Sequence, residues 1–189
     1  MVLGTHSGRQ ALTQPGSITA DVVTLLPAKP DDESFLFAVY ASTRAEEVAL
    51  TGWSPSQQEQ FLRMQFEAQT RSYRMQFPQA KHWVIRHGEV AAGRMIVDRT
   101  VDRTQDEILL IDIALLPEHR NKGIGSVLMG KLIEEARQTC KAIRIHVERF
   151  NPALAWYQRL GFTTVNESEI YLEMVWQSSP RVAGEEAAE

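Results

Sequence analysis

The sequence predicts an α/β (α+β) fold, a mixed sheet with helices on its faces, and three observations carry that prediction. Strand-length and helix-length apolar patterns interleave in the order βααβββαβαββ. One segment, Ile108 to Leu116 (ILLIDIALL), is nearly all apolar, as expected of a strand covered on both faces. A chain of 189 residues, 43% hydrophobic and 23% charged, has the size and composition of one domain with a real core.

Asp21 to Leu26 reads as a short strand. After Pro30, Asp31 and Asp32 supply helix-start chemistry, and Phe35, Leu36, Val39 and Thr43 recur at helical spacing. Ser54-Pro55-Ser56-Gln57 opens a second helix with an N-cap, a proline at the first helical position and a capping-box glutamine. Phe61, Leu62, Phe66, Tyr73 and Phe77 follow broadly on one side before Pro78 stops it. Lys81 to Arg86 and Val90 to Val97, around His87-Gly88-Glu89, form a hairpin by spacing and turn chemistry. A charged turn, Asp98 to Asp106, leads to the strand Ile108 to Leu116, which Pro117 ends.

The next helix runs from Ser126 to about Gln138, with Val127, Leu128, Leu132, Ile133 and Ala136 inward. Ile143 to Val147 is a strand, and Pro152 to Leu160 a short helix stopped by Gly161. Strands at Thr163 to Val165 and Ile170 to Trp176 close the domain; in the last, Ile170, Leu172, Met174 and Trp176 alternate with polar neighbours. Residues 1–19 read as a flexible lead-in, 20–176 as one domain, and 177–189 as a disordered acidic tail.

A formal charge of −4 argues against general nucleic-acid binding, which wants a concentrated basic face. The single cysteine, Cys140, rules out an internal disulfide, suits a reducing compartment and reads as a packing residue. No apolar run approaches the length of a membrane span, and the N-terminus lacks the charged and apolar regions of a secretory signal. The expectation is a soluble cytoplasmic protein without a membrane partner. No His/Cys/Asp/Glu cluster has metal-ligand spacing, so no metal is implied.

The stretch RNKGIGSVLMGK, Arg120 to Lys131, has the look of a phosphate loop. Gly125-x-x-x-x-Gly130-Lys131 fails as a triphosphate loop, because Leu132 stands where the magnesium-binding hydroxyl belongs. Gly130 falls inside the helix, where it is expected to permit close packing. Gly123-x-Gly125 lacks the third glycine of a dinucleotide loop, Leu128 being there instead. What remains is a strand, then Glu118 to Gly125, then a helix. Bare glycine backbone and a helix N-terminus make an anion site, with Arg120 and Lys122 adding positive charge. The plainer alternative is an ordinary strand-to-helix turn with a solvated basic rim.

The run IALLPEHRNKGIGSVLM resembles the acetyl-CoA motif of the GNAT superfamily of N-acyltransferases, Arg/Gln-x-x-Gly-x-Gly/Ala after a strand. FNPALAWYQRLGF, Phe150 to Phe162, resembles that family's helix ending in Tyr-x-x-Leu-Gly-Phe, and the element order matches its fold. The resemblance covers about Asp21 to Trp176. It implies a central, mixed, mostly antiparallel twisted sheet flanked by helices, in which two strands splay to admit acyl-CoA. It also implies an acetyl-CoA-dependent N-acetyltransferase acting on a primary amine of a small molecule or peptide, by direct attack in a ternary complex. A silent acyl-CoA-binding module is the alternative. Carried over by position, Leu115 contacts the acyl and pantetheine part. Arg120, Asn121, Lys122, Gly123, Ile124, Gly125 and Ser126 hold the pyrophosphate. Asn151 bonds the cofactor arm, although it stands one residue nearer the tyrosine than the commonest family spacing. Tyr157 supplies a proton or hydrogen bond to the leaving thiolate. Family members are often dimers, so a homodimer is an open expectation.

The amine arrives protonated and needs a base. Asp112, alone among apolar residues, is a candidate, because a carboxylate there is costly unless paired or used; a salt bridge to Arg94 or Arg144 would explain it equally. Glu107 and His146 are weaker candidates. On the acceptor side the resemblance points to Trp53, Tyr73 and Tyr171, with Trp53 as pocket wall and Phe61, Phe66 and Phe77 left to the core.

Overall fold

A computed structural model describes residues 22–100 and 107–178. The expected lead-in, most of the charged turn after Asp98 and nearly all of the acidic tail lie outside the described residues. Within them the elements follow the expected order: β1 (Val23–Pro27), α1 (Glu33–Ala49), α2 (Pro55–Gln76), β2 (Lys81–His87), β3 (Val90–Asp98), β4 (Glu107–Leu115), α3 (Ile124–Thr139), β5 (Ala142–Glu148), α4 (Leu154–Arg159), β6 (Thr163–Glu167) and β7 (Tyr171–Trp176). The capping box at Ser54 forms as read, with Ser54 N donating to Gln57 Oε1 at 2.9 Å and Gln57 N to Ser54 Oγ at 3.4 Å.

The strands make one sheet in the order β1-β2-β3-β4-β5-β7-β6, antiparallel throughout except for the parallel β4–β5 pair. Strand alternation sorts the side chains between two layers. Met95 and Val97 join Leu128, Met129 and Leu132 of α3 and Tyr157 of α4 in the main core. Arg94 and Ile96, which alternate with them in sequence, face a cavity shared with α2. On that side α1 and α2 pack through Tyr40, Val48, Leu62 and Phe66.

The parallel pairing is short. It runs from Glu107↔Ala142 to Leu110↔Ile145 and stops there. At the same point the β3–β4 ladder shifts register: Ile96 faces Asp112 and Val97 faces Leu110, so Ile111 is the bulged residue. Beyond it β4 leaves β5, and the sheet splits. The expectation of a strand buried on both faces therefore fails for its second half. Ile108, Leu109 and Leu110 are buried, but Ile111 to Leu115 are only half-buried because they border the split. Gly93 holds the diverging end of β4 against β3, since a Cβ there would lie 2.2 Å from the Ala114 carbonyl oxygen.

Several single-residue expectations are corrected. α3 starts at Ile124, two residues early, and Met129 rather than Val127 completes its buried face; Val127 is 44% exposed. A Cβ on Gly130 would meet nothing within 4 Å, so that glycine permits no close packing. Cys140 is exposed, not packed, and closes α3 in the left-handed region at φ 55°. Thr43 and Ile170 are exposed, while Tyr40 and Val48 complete the buried stripe of α1.

Candidate active site

The split in the sheet is bordered by the end of β4, the second half of β5, the loop into α3 and the helix α4. Pro117–His119 turns once as a 3-10 helix, and Arg120 N donates to Pro117 O at 3.1 Å. Asn121 at φ 59° and Gly123 at φ 78° then bend the chain through left-handed backbone, which asparagine and glycine tolerate best. Val127 N donates to Gly123 O at 3.0 Å, the first bond of α3. The N–H groups of Gly123, Ile124, Gly125 and Ser126 consequently have no acceptor among the described residues, as a helix start leaves them. They sit at the positive end of a 16-residue helix dipole, with Lys122 exposed beside them.

The two loop glycines serve different needs. Gly123 is wanted for its positive φ, since a Cβ there would meet nothing within 4 Å. Gly125 instead lies close against Trp156, where an added Cβ would stand at an ordinary contact distance of 3.4 Å from Cη2 and Cζ2. That contact docks the start of α3 on α4. Ile124 is buried in the core, so only its main chain belongs to the loop. Arg120 differs from its neighbours: its amide is spent inside the turn. Its guanidinium ties the loop down, with Nε donating to Leu115 O at 2.9 Å and Nη2 to Ser42 O at 3.2 Å. Leu115, half-buried, stands at the end of β4 against the core.

Asn151 Oδ1 accepts from Ala153 N at 2.8 Å and so shapes the turn before α4. Tyr157, in the helix that follows, is buried against Trp156 at 4.8 Å and Phe162 at 5.7 Å between ring centroids. Its hydroxyl has no hydrogen-bond partner among the described residues. Burial, reinforced by the negative charge of Asp112, pushes the phenol up to about 12.

Asp112 is paired with Arg94, Nε lying 2.5 Å from Oδ2, which is one of the two salt bridges the sequence allowed. Burial raises its carboxyl above the ordinary aspartate range, against the pull of Arg94. Arg94 also donates to Gln69 Oε1 at 3.0 Å and lies over the Tyr40 ring, 5.7 Å from its centroid. Arg94 thereby joins β3 and β4 to both helices of that layer. Gln69 and Ser42 escaped the sequence reading, because nothing local marks a helix residue that bonds across layers. Glu107 is held by Arg144 through two bonds of 2.6 and 2.7 Å, which leaves it a structural ion pair.

Two cavities open on the α1/α2 side of the sheet. One, of about 820 Å³, is lined by Lys29, Phe66, Arg71, Trp83 and Arg94 among others. The second, of about 480 Å³, lies beside the split, between Tyr73 and Phe77 of α2, Ile111 of β4, His146 of β5 and Tyr171 of β7. Tyr73 borders both. Trp53 lines neither; it packs edge-on against Phe61 with 5.0 Å between centroids. Phe66 is buried as expected, but Phe61 and Phe77 are only half-buried and Phe77 faces the smaller cavity.

Comparison with known proteins identifies this arrangement. Similar folds occur in the PaiA N-acetyltransferase of Thermoplasma acidophilum, solved in complex with coenzyme A (14% identity, TM-score 0.61, 83% of this chain and 99% of that one). An acetyltransferase of Thermus thermophilus is similar too (19% identity, TM-score 0.61, 84% and 99%). In sequence, 67 residues are 33% identical to the [ribosomal protein bS18]-alanine N-acetyltransferase of Haemophilus influenzae; the match takes in 35% of this chain and 46% of that protein, about half its length. The model of the Acetyltransferase (GNAT) family matches residues 45–162, more than half the chain and the whole stretch from α2 through the loop to Phe162. The chain belongs to the GNAT family of acetyltransferases.

Proposed function

We propose that the protein transfers an acetyl group from acetyl-CoA to the primary amine of a small molecule or peptide, the two substrates meeting in one ternary complex. The observation that carries this reading is the row of open amides at the start of α3 beside the split between β4 and β5. Four consecutive N–H donors, a helix dipole and Lys122 suit a diphosphate, and the bare Gly123, with open space where a Cβ would stand, leaves room for its oxygens. When bound, acetyl-CoA supplies a thioester carbonyl that an amine can attack.

Gly123 through Ser126 hold the diphosphate, and Leu115 with the adjacent main chain of β4 borders the acyl and pantetheine arm. Tyr157 faces the sulfur. Burial pushes its phenol up to about 12, well above an alkyl thiol at ~8.5. Complete proton transfer to sulfur would therefore run uphill, so Tyr157 serves the departing thiolate as a hydrogen-bond donor. The 480 Å³ cavity beside the split receives the amine. The similarity to an enzyme named for acetylating an alanine of a ribosomal protein favours a peptide N-terminus among the amines considered.

The test is a melting curve with and without acetyl-CoA, followed by thiol release across a panel of small amines and an alanyl-peptide amide. Acetyl-CoA should raise the melting temperature, and at least one amine should release thiol. Stabilisation with no thiol release from any amine would instead describe a binding module.

A further inference from the structure

We propose that His146 is the general base, the group that takes the proton from the incoming ammonium; this rests on the acetyl-transfer reading above. His146 is the first residue of β5 past the last β4–β5 pair, Leu110↔Ile145, so it stands where the split opens. Ile143, Ile145 and Val147 are buried in the main core, which turns His146 to the other side of the sheet. There it is exposed and lines the cavity with Ile111, Tyr73 and Tyr171. An amine reaching the split from that cavity passes the imidazole.

The other ionisable groups around that opening are committed. Asp112 of β4 holds Arg94. Arg144, on the same strand as His146, holds Glu107 and also Glu173, the residue that faces His146 across the β5–β7 ladder. Glu148 lies 3.6 Å from Arg44 of α1, and Glu167 of β6 lies 3.4 Å from Arg149. Tyr73 of α2 is a neutral phenol at physiological pH, pushed up to about 12 chiefly by burial. His146 alone among the imidazole and carboxylates here makes no hydrogen bond or ion pair with a described residue. Partial desolvation at the cavity wall and the neighbouring Arg144 lower its pKa below the ordinary histidine value, which keeps the ring unprotonated and able to accept.

The step balances simply. The imidazole nitrogen accepts one proton from R–NH3+ and later releases it to water. The freed nitrogen lone pair bonds the acyl carbon, and the C–S bond breaks. Sulfur leaves as a thiolate hydrogen-bonded by Tyr157, and the second proton lost by nitrogen neutralises it.

The experiment uses two readouts on the full chain, with benzylamine, lysine and an alanyl-tripeptide amide as probes, continuing with whichever turns over fastest. In the wild type, kcat/KM should fall on the acid side as the base protonates. His146→Gln should lose that acid limb and drop turnover about 10²–10⁴-fold, with acetyl-CoA binding unchanged. Independently of turnover, the NMR resonance of the His146 ring should titrate below ordinary histidine and move when the amine is added. A His146→Gln enzyme that keeps the acid limb or comes within threefold of wild-type rate overturns the role of His146, as does a ring resonance the amine does not move. A wild type that releases no thiol with any probe overturns the transfer reading, and this assignment with it.

Discussion

The Arg94 guanidinium and the Asp112 carboxylate meet with 2.5 Å between Nε and Oδ2, one residue past the bulge at which β4 parts from β5. Their side chains are 8% and 21% exposed, so the pair is largely withdrawn from water. A pair of this kind is retained at a desolvation cost, and removing one member leaves the other charge uncompensated.

Arg94→Met should accordingly destabilise the fold by about 3 kcal/mol at neutral pH, measured by urea denaturation. The pH dependence has a definite sign. Burial already raises the Asp112 carboxyl, and loss of Arg94 raises it further. A carboxyl with a raised folded-state pKa favours the fold while protonated, and that advantage disappears as pH rises through the folded-state value. The deficit of Arg94→Met should therefore shrink on acidification. A deficit that is flat or grows toward acid pH would mean that the ion pair does not govern this site.

Gly93 and Gly130 form a matched contrast. A Cβ on Gly93 would fall 2.2 Å from Ala114 O and 2.8 Å from Leu115 Cδ2, so Gly93→Ala must push β3 and β4 apart. A loss of about 3 kcal/mol or more is expected, at the high end for an overpacked site. Gly130 lies within α3 with open space around it, and Gly130→Ala should stabilise by roughly 0.5–1 kcal/mol through helix propensity. Equal effects of the two substitutions would refute the account of the β3–β4 contact.

At Gly125, Ala should be tolerated, because its Cβ reaches Trp156 at an ordinary contact distance of 3.4 Å. Gly125→Glu places a longer, negative side chain at the helix start, against Trp156 and against the charge of a diphosphate. The variant should fold but no longer gain melting temperature from acetyl-CoA. A full thermal shift in Gly125→Glu would remove the loop from the cofactor site.

The alkaline limb reports on Tyr157. Of the four tyrosines, Tyr73 and Tyr157 are both pushed up to about 12, mainly by burial. Their folded-state values exceed the unfolded value of ~10, so their contribution is fully present below pH ~10 and is lost as pH rises through about 12. Urea midpoints should fall over that window, and phenolate absorbance should show Tyr73 and Tyr157 titrating late. Tyr157→Phe should remove one of them and flatten the fall; an unchanged slope would place the Tyr157 hydroxyl in open water. The same variant should lower turnover while acetyl-CoA affinity stays similar.

Much of this protein was legible before any coordinates. The order of its elements follows from periodicity, caps and breakers, which are local: Ser54-Pro55-Ser56-Gln57 starts a helix wherever it is placed, and Gly161 ends one. The loop from Arg120 to Gly125 could likewise be read as an anion site, because φ preference and a helix dipole are properties of the chain itself. The tertiary structure alone decided what depends on distance between remote segments. It set the end of β4–β5 pairing at Leu110, chose Arg94 over Arg144 as the partner of Asp112, spent the Arg120 side chain on Leu115 and Ser42, and placed Trp156 against Gly125. It also gave the cavity beside the split to Tyr73, Tyr171 and His146 and withheld it from Trp53. The physical reason is the same in each case: burial and pairing energies arise between residues tens of positions apart, and no local pattern encodes which of several chemically adequate partners comes within reach.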